Sequence, residues 1–199
     1  MTGLDWTPIG DRRDYREFLA ADLQAHGLRR WHFYLEPQHP ELRYQRLLRK
    51  VEYLDTRSGP MGRFRHLWSR VRLARLAVRT GISIPPGTCD RGLSVAHTGS
   101  IVVNARARIG AFCRIHSGTN IGVHAGGVPR LGTRVYVAPG AVLLGAITVG
   151  DNVLVGANSV VNKDVPPNVT VAGAPARVIA DHGSDRSMPE WFPATGIHG

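Results

Sequence analysis

Cysteine is nearly absent from this chain. Cys89 and Cys113 are the only two, and their spacing fits no metal-binding pattern. No cluster of His, Cys and Asp elsewhere suggests a metal either. No apolar run reaches the roughly 18 residues that a membrane-spanning helix needs. The opening stretch, Met1 to Arg13, is polar and lacks an apolar signal core, so the sequence reads as a cytoplasmic protein. Aromatic residues make up 7% of the chain and are not interleaved with its basic residues as in single-strand nucleic-acid binders. Zinc-finger and recognition-helix patterns are missing too, so no nucleic-acid partner is expected.

Acidic residues are also in deficit, giving a net charge of +10. The excess is uneven: up to Thr80 there are 16 Lys and Arg against 9 Asp and Glu, and beyond it 9 against 6. Such charge suits nucleic acid, an anionic membrane or an anionic substrate. Here it reads as solvated helix faces with some attraction for an anionic cofactor, and membrane association is not expected.

Residues 1–80 read as a helical region with breaks. Asp11 to His26 carries Tyr15, Phe18, Leu19 and Leu23 at helical spacing and stops at Gly27. Glu41 to Leu54 follows a proline-containing loop, with Leu42, Leu47, Leu48 and Val51 as its apolar set. Met61 to Arg79 places Phe64, Leu67, Trp68, Val71, Ala74 and Val78 on one stripe, read as a packing face. Gly81 ends it.

From Ile82 the pattern changes. Val103, Ile109, Ile115 and Ile121 recur at steps of six, and after a break so do Leu131, Val137, Leu143, Val149, Val155 and Val161. Four residues after each mark stands a second small or aliphatic residue, Cys113 among them, which points to a buried, reduced thiol. Neither a helical period nor strand alternation gives a strict six. A hexad repeat builds a parallel β-helix, three hexads to a triangular coil of about 18 residues. Glycines after the marks, such as Gly110 and Gly132, suit corners where torsion or crowding excludes a side chain. The step from Ile121 to Leu131 is ten, so Val123 to Arg130 is a loop thrown out of the coil, a place where repeat proteins often bind. The expected organisation is a helical region 1–80, a β-helix 81–179, and a loosely ordered polar tail 180–199.

These hexads, the ejected loop, Asn162-Lys163-Asp164-Val165-Pro166 and Ala172-Gly173-Ala174-Pro175-Ala176-Arg177 together resemble the hexapeptide-repeat acyltransferases. Within them, the segment Gly92 to Val103, containing Ala96-His97-Thr98-Gly99, resembles the active-site coil of serine O-acetyltransferases. The likeness covers Ile82 to Ile179. The opening helices and Ser83-Ile84-Pro85-Pro86 look like a branch of the family associated with polysaccharide gene clusters. The resemblance implies a mainly β fold, a left-handed parallel β-helix assembled as a homotrimer. It implies acetyl-CoA bound between two prisms and an acetyl group passed to a hydroxyl of a small acceptor, L-serine or a sugar. An N-acyltransferase on an amino sugar and a non-catalytic trimeric scaffold are the other readings of the same prism.

His97 matches the family's catalytic histidine, and counting back six from Val103 puts it on the aliphatic ladder, a break in the core pattern that suits a functional site. A neutral hydroxyl attacks a thioester poorly without such a base. The positions of two family acids read Ser83 and Ala96 here, which leaves Asp90, Ser83 or a backbone carbonyl to orient the imidazole. The family's second histidine corresponds to Val128; His116 and His124 are the other histidines in range, against a reading of both as ordinary polar surface. Gly122, Ala138 and Gly145 fall where the family runs its pantetheine groove. Lys163 and Arg177 are placed for CoA phosphates, or else Lys163 is a solvated turn residue and Arg177 pairs with a carboxylate.

Overall fold

A computed structural model of the chain describes residues 8–32, 34 and 37–192. Most of the polar opening stretch and tail residues 193–199 lie outside the described residues. Three helices come first: α1 (Arg12–Ala25), α2 (Pro40–Asp55) and α3 (Pro60–Thr80). Asp11 caps α1, accepting from the backbone N–H groups of Arg13 and Asp14 while Asp14 returns to the cap, a reciprocal capping box. Proline opens both α2 and α3, where its missing N–H costs nothing. Gly81 closes α3 at φ 72°, a left-handed turn that a side chain would disfavour.

Past Gly81 the chain winds as a parallel β-helix with three faces. The first face stacks Ile82–Ser83, Ile101–Val103, Asn120–Gly122, Val142–Leu144 and Val160–Val161. The second stacks Arg108–Ile109, Arg130–Leu131 and Thr148–Val149, and the third Ser94–Val95, Arg114–Ile115, Tyr136–Val137, Leu154–Val155 and Thr170–Gly173. All these pairings are parallel; only Ala176–Ala180 turns back antiparallel on Thr170–Gly173 and closes the third face. The hexad marks Ile109, Ile115, Ile121, Leu131, Val137, Leu143, Val149 and Val155 are fully buried along the axis. The hexad reading of the core therefore holds. Crowding rather than torsion explains the glycines after the marks: a Cβ on Gly110 would stand 2.5 Å from the Gly132 carbonyl oxygen of the next coil. The left-handed torsion falls two residues later, on Phe112, Arg134 and Asn152.

Stacking leaves the first coil with an open lower edge, and α1 and α2 close it with polar side chains. Tyr44 Oη donates to the Ile84 carbonyl and accepts from the Ile84 N–H. Gln45 spans Leu93 and Val95, donating to one carbonyl and accepting from the other's N–H. Arg49, wholly buried, donates to both carboxylate oxygens of Asp22, to Glu52, and to the carbonyls of Cys89 and Asp90. Buried backbone groups left unpaired would each be costly, so the cap turns an exposed sheet edge into a finished one. Arg49 departs from the expectation of solvated basic helix faces.

Two further expectations are corrected. The α3 stripe is not a packing face within the chain: Phe64, Leu67, Trp68 and Val78 are 66%, 64%, 54% and 87% exposed. Ser69, Leu73 and Thr80 do the packing, because the side of α3 that meets α2 lies opposite the stripe. The tail is not loose as far as Phe192. Ser184 is fully buried, its Oγ donating to the Arg134 carbonyl; Asp185 pairs with Arg134, and Phe192 packs edge-on against Phe112.

Candidate active site

Register places the candidate histidine off the ladder rather than on it. Val95 pairs with Ile115, and Val103 with Ile121. The first coil thus uses eight positions where the next uses six, and the two extra residues widen the corner between the third and first faces. His97 sits on that widened corner, exposed, and Val95 fills the inward position instead. The six-residue count back from Val103 fails because the period does not reveal where a coil is lengthened.

His116 stands at the same corner one coil later. Its ring meets His97 edge-on at 6.0 Å between centroids and leans on Tyr136 at 4.9 Å. Arg114, beside it on the third face, donates to Ser94 Oγ at 2.7 Å. Burial, then the charge of Arg114 and the neighbouring His97, push His116 down to about 4, so it is neutral at pH 7. Its Nε2 is buried and has no hydrogen-bond partner among the described residues. The corner therefore presents one exposed imidazole backed by a second, neutral one.

The strand leading into His97 is held from below. Gln45 Oε1 accepts from Val95 N–H and lies 2.9 Å from His26 Nε2, so that nitrogen carries the hydrogen. Asp22 accepts from the Leu93 N–H. None of these supports was identified from sequence; a Gln three residues from both Leu42 and Leu48, on the apolar side of α2, is the signal that was there to read. Of the proposed orienting groups, Asp90 is at a different corner, its carboxylate taken by the Arg91 N–H. Ser83 lies on the first face, paired with Val102. Among the described residues no side chain hydrogen-bonds to His97.

His124 stands elsewhere, on the ejected loop at the corner between the first and second faces. It exchanges two backbone hydrogen bonds with Gly127, both 3.0 Å, and Arg106 of the preceding coil donates to the Gly126 carbonyl. Gly122 and Gly145 line this corner, and the register of Val142 with Val160 brings Lys163 above Gly145. Ala138 belongs to the other corner, in register with His116. Arg177 is exposed on the closing strand; its guanidinium donates to the Ala176 carbonyl rather than pairing with a carboxylate. Within one chain, then, the predicted site residues other than Arg177 fall into two groups at two corners.

No family model matches the chain. It is 42% identical over 105 residues to serine acetyltransferase of Helicobacter pylori strain J99, covering 50% of this chain and 61% of that one. To serine acetyltransferase of Synechococcus elongatus it is 38% identical over 109 residues, covering 52% and 45%. The chain thus spans about half the length of the curated relatives it matches. Soybean serine acetyltransferase, solved in complex with serine, superposes with a TM-score of 0.70 at 28% identity, over 84% of this chain and 70% of that one. This is the serine acetyltransferase fold. The serine acetyltransferase fold is a left-handed parallel β-helix, the hand the resemblance implied and the opposite of ordinary parallel crossovers.

One test of the histidine corner needs no ligand. Because the folded protein holds His116 neutral down to about pH 4, the unfolded chain binds the extra proton between about 6.5 and 4. Stability therefore falls as pH is lowered through that window. His116→Asn is expected to flatten the thermal midpoint's pH dependence there, as read by circular dichroism from pH 4 to 7. An unchanged slope would mean another group is responsible.

Proposed function

We propose that the chain is an acetyl-CoA-dependent O-acetyltransferase whose catalytic base is His97. The observation that carries this reading is an exposed imidazole backed by a neutral one, on the widened corner of the first coil of a serine acetyltransferase fold.

Acetyl-CoA, as co-substrate, supplies an acetyl group activated as a thioester. His97 takes the proton from the acceptor hydroxyl as its oxygen attacks the thioester carbonyl, then hands a proton to the departing sulfur. His116 packs against the His97 ring without adding a second positive charge, so the imidazolium formed at His97 meets no like charge from it. Gly122 and Gly145 suit an extended pantetheine arm: a Cβ on Gly122 would stand 2.9 Å from the Asn120 side chain and fill the strip beside the loop. Lys163 and Arg177 would meet phosphates.

The two groups of site residues converge only if a neighbouring prism sets its loop corner, with His124, against the His97 corner. A homotrimer arranged in this way gives three such clefts. L-serine is the first acceptor to test, because it is the substrate named by the relatives. By the resemblance, Ala96 and Ser83 replace two family acids at which an amino-acid substrate's ammonium group would be expected to bind, which favours a hydroxyl acceptor without one, such as a sugar.

The test is thiol release from acetyl-CoA with L-serine and, separately, with nucleotide sugars. Acceptor-dependent release is expected with one of these. Release from neither, together with no thermal stabilisation by CoA, would favour a scaffold. An amide product from an amino sugar would favour N-acyl transfer.

A further inference from the structure

We propose that the outward side of α3, together with the groove between α2 and α3, docks on the surface of an anionic phospholipid membrane. This surface is remote from the histidine corner, and the inference does not depend on acetyl transfer. It also departs from the sequence expectation that the basic helix faces are simply solvated.

Two features coincide there. The first is the apolar stripe of Phe64, Leu67, Trp68, Val71 and Val78, all exposed, running along a helix of 21 residues, or about 31 Å. Scattered exposed apolar residues are ordinary, but a stripe along one helix is not. The second is charge. Helix α3 carries six arginines and no acidic residue. Arg63 and Arg70 flank the stripe on one side; Arg65, Arg72 and Arg79 flank it on the other by helical position. The second flank opens into a groove lined by Arg43, Arg46, Lys50, Arg72, Arg75 and Arg79, with no acidic side chain among the described lining residues. Two adjoining hollows of about 240 and 160 Å³ make up that groove.

Each candidate occupant must satisfy both features. A soluble polyanion would engage the arginines and leave the aromatic stripe in water. A second copy of α3 would bury the stripe but set arginine rows against arginine rows, a like-charge contact that opposes pairing. An anionic bilayer surface accepts both at once, with acyl chains receiving Phe64, Leu67 and Trp68 and lipid phosphates meeting the arginines. Among the described residues no helix is long and apolar enough to cross a membrane, so α3 would lie in the interface.

The experiment is co-sedimentation of the full chain with phosphatidylcholine vesicles, with and without phosphatidylglycerol, at low and high salt. Binding is expected only with phosphatidylglycerol, and weaker at high salt. The double variant Leu67→Glu/Val71→Glu, at exposed positions and checked for fold by circular dichroism, should bind roughly tenfold or more weakly. Quenching of tryptophan fluorescence by brominated lipid should be largely lost in Trp68→Phe, a variant that leaves packing intact. Three results would overturn the proposal. One is no binding to phosphatidylglycerol vesicles at low salt. Another is equal binding by the double variant. The third is an assembly mass that falls in the double variant while the wild type ignores vesicles, which would make a second copy the occupant.

Discussion

His97→Ala is expected to lower acceptor-dependent thiol release by about a hundred- to ten-thousand-fold while leaving the fold intact. The magnitude is that of a general base removed from a step with a large proton-transfer component. The base acts only as the hydroxyl proton leaves, so kcat and kcat/KM should fall together, with little change in the KM for acetyl-CoA. The fold should survive because His97 is exposed and no side chain among the described residues hydrogen-bonds to it. Surface substitutions of this kind shift stability by about 0.5 kcal/mol or less. A thiol-reactive dye reports the reaction with little background from the protein itself. Cys89 and Cys113 are both buried, and burial pushes the Cys89 thiol up to about 12 and Cys113 in the same direction. A variant retaining the full rate with a confirmed acceptor would remove His97 from the mechanism.

Arg49→Met should have the largest effect on stability, a loss of about 3–5 kcal/mol in chemical denaturation. Methionine keeps much of the side-chain volume, so packing is not the main loss. What disappears is the cation that two buried carboxylates face and the donor for two buried carbonyls. Burial by itself would lower the Arg49 pKa, but Asp22 and Glu52 outweigh it and hold the guanidinium charged. Removing it strands Asp22, whose Oδ1 also accepts from the Leu93 N–H just ahead of His97. Asp22→Asn in the Arg49→Met background should recover part of the loss, since an amide needs no counter-charge and its oxygen still accepts from Leu93. A double-mutant cycle reads that coupling directly. A loss below about 1 kcal/mol would mean that water or a shifted helix satisfies the first coil's edge instead.

How much of this was legible beforehand depended on whether a residue's role repeats. Ile109, Ile115, Ile121 and their successors meet the same surroundings once per coil, so the hexad count reads them directly. The helix boundaries were legible for a similar local reason: Asp11, Gly27, Pro40, Pro60 and Gly81 act through their own backbone or the next turn. Arg49 was not legible, because its four hydrogen-bond partners lie in α1, in its own helix and in the turn after Thr88, and nothing local distinguishes it from Arg43 or Arg46. The α3 stripe was read correctly as a stripe, and it is not a packing face within the chain. Helical spacing says which residues share a side and nothing about what that side meets.

The sequence by itself determined that this chain is a stacked coil preceded by a helical region, and through the resemblance of Gly92 to Val103, which histidine to examine first. Tertiary structure alone decided that His97 leaves the ladder for a widened corner, that His116 rather than an acid stands behind it, and that His124 belongs to another corner. The physical reason is that a period fixes direction within a coil. The length of each corner, and what is stacked above and below it, exist only once the coils are superimposed.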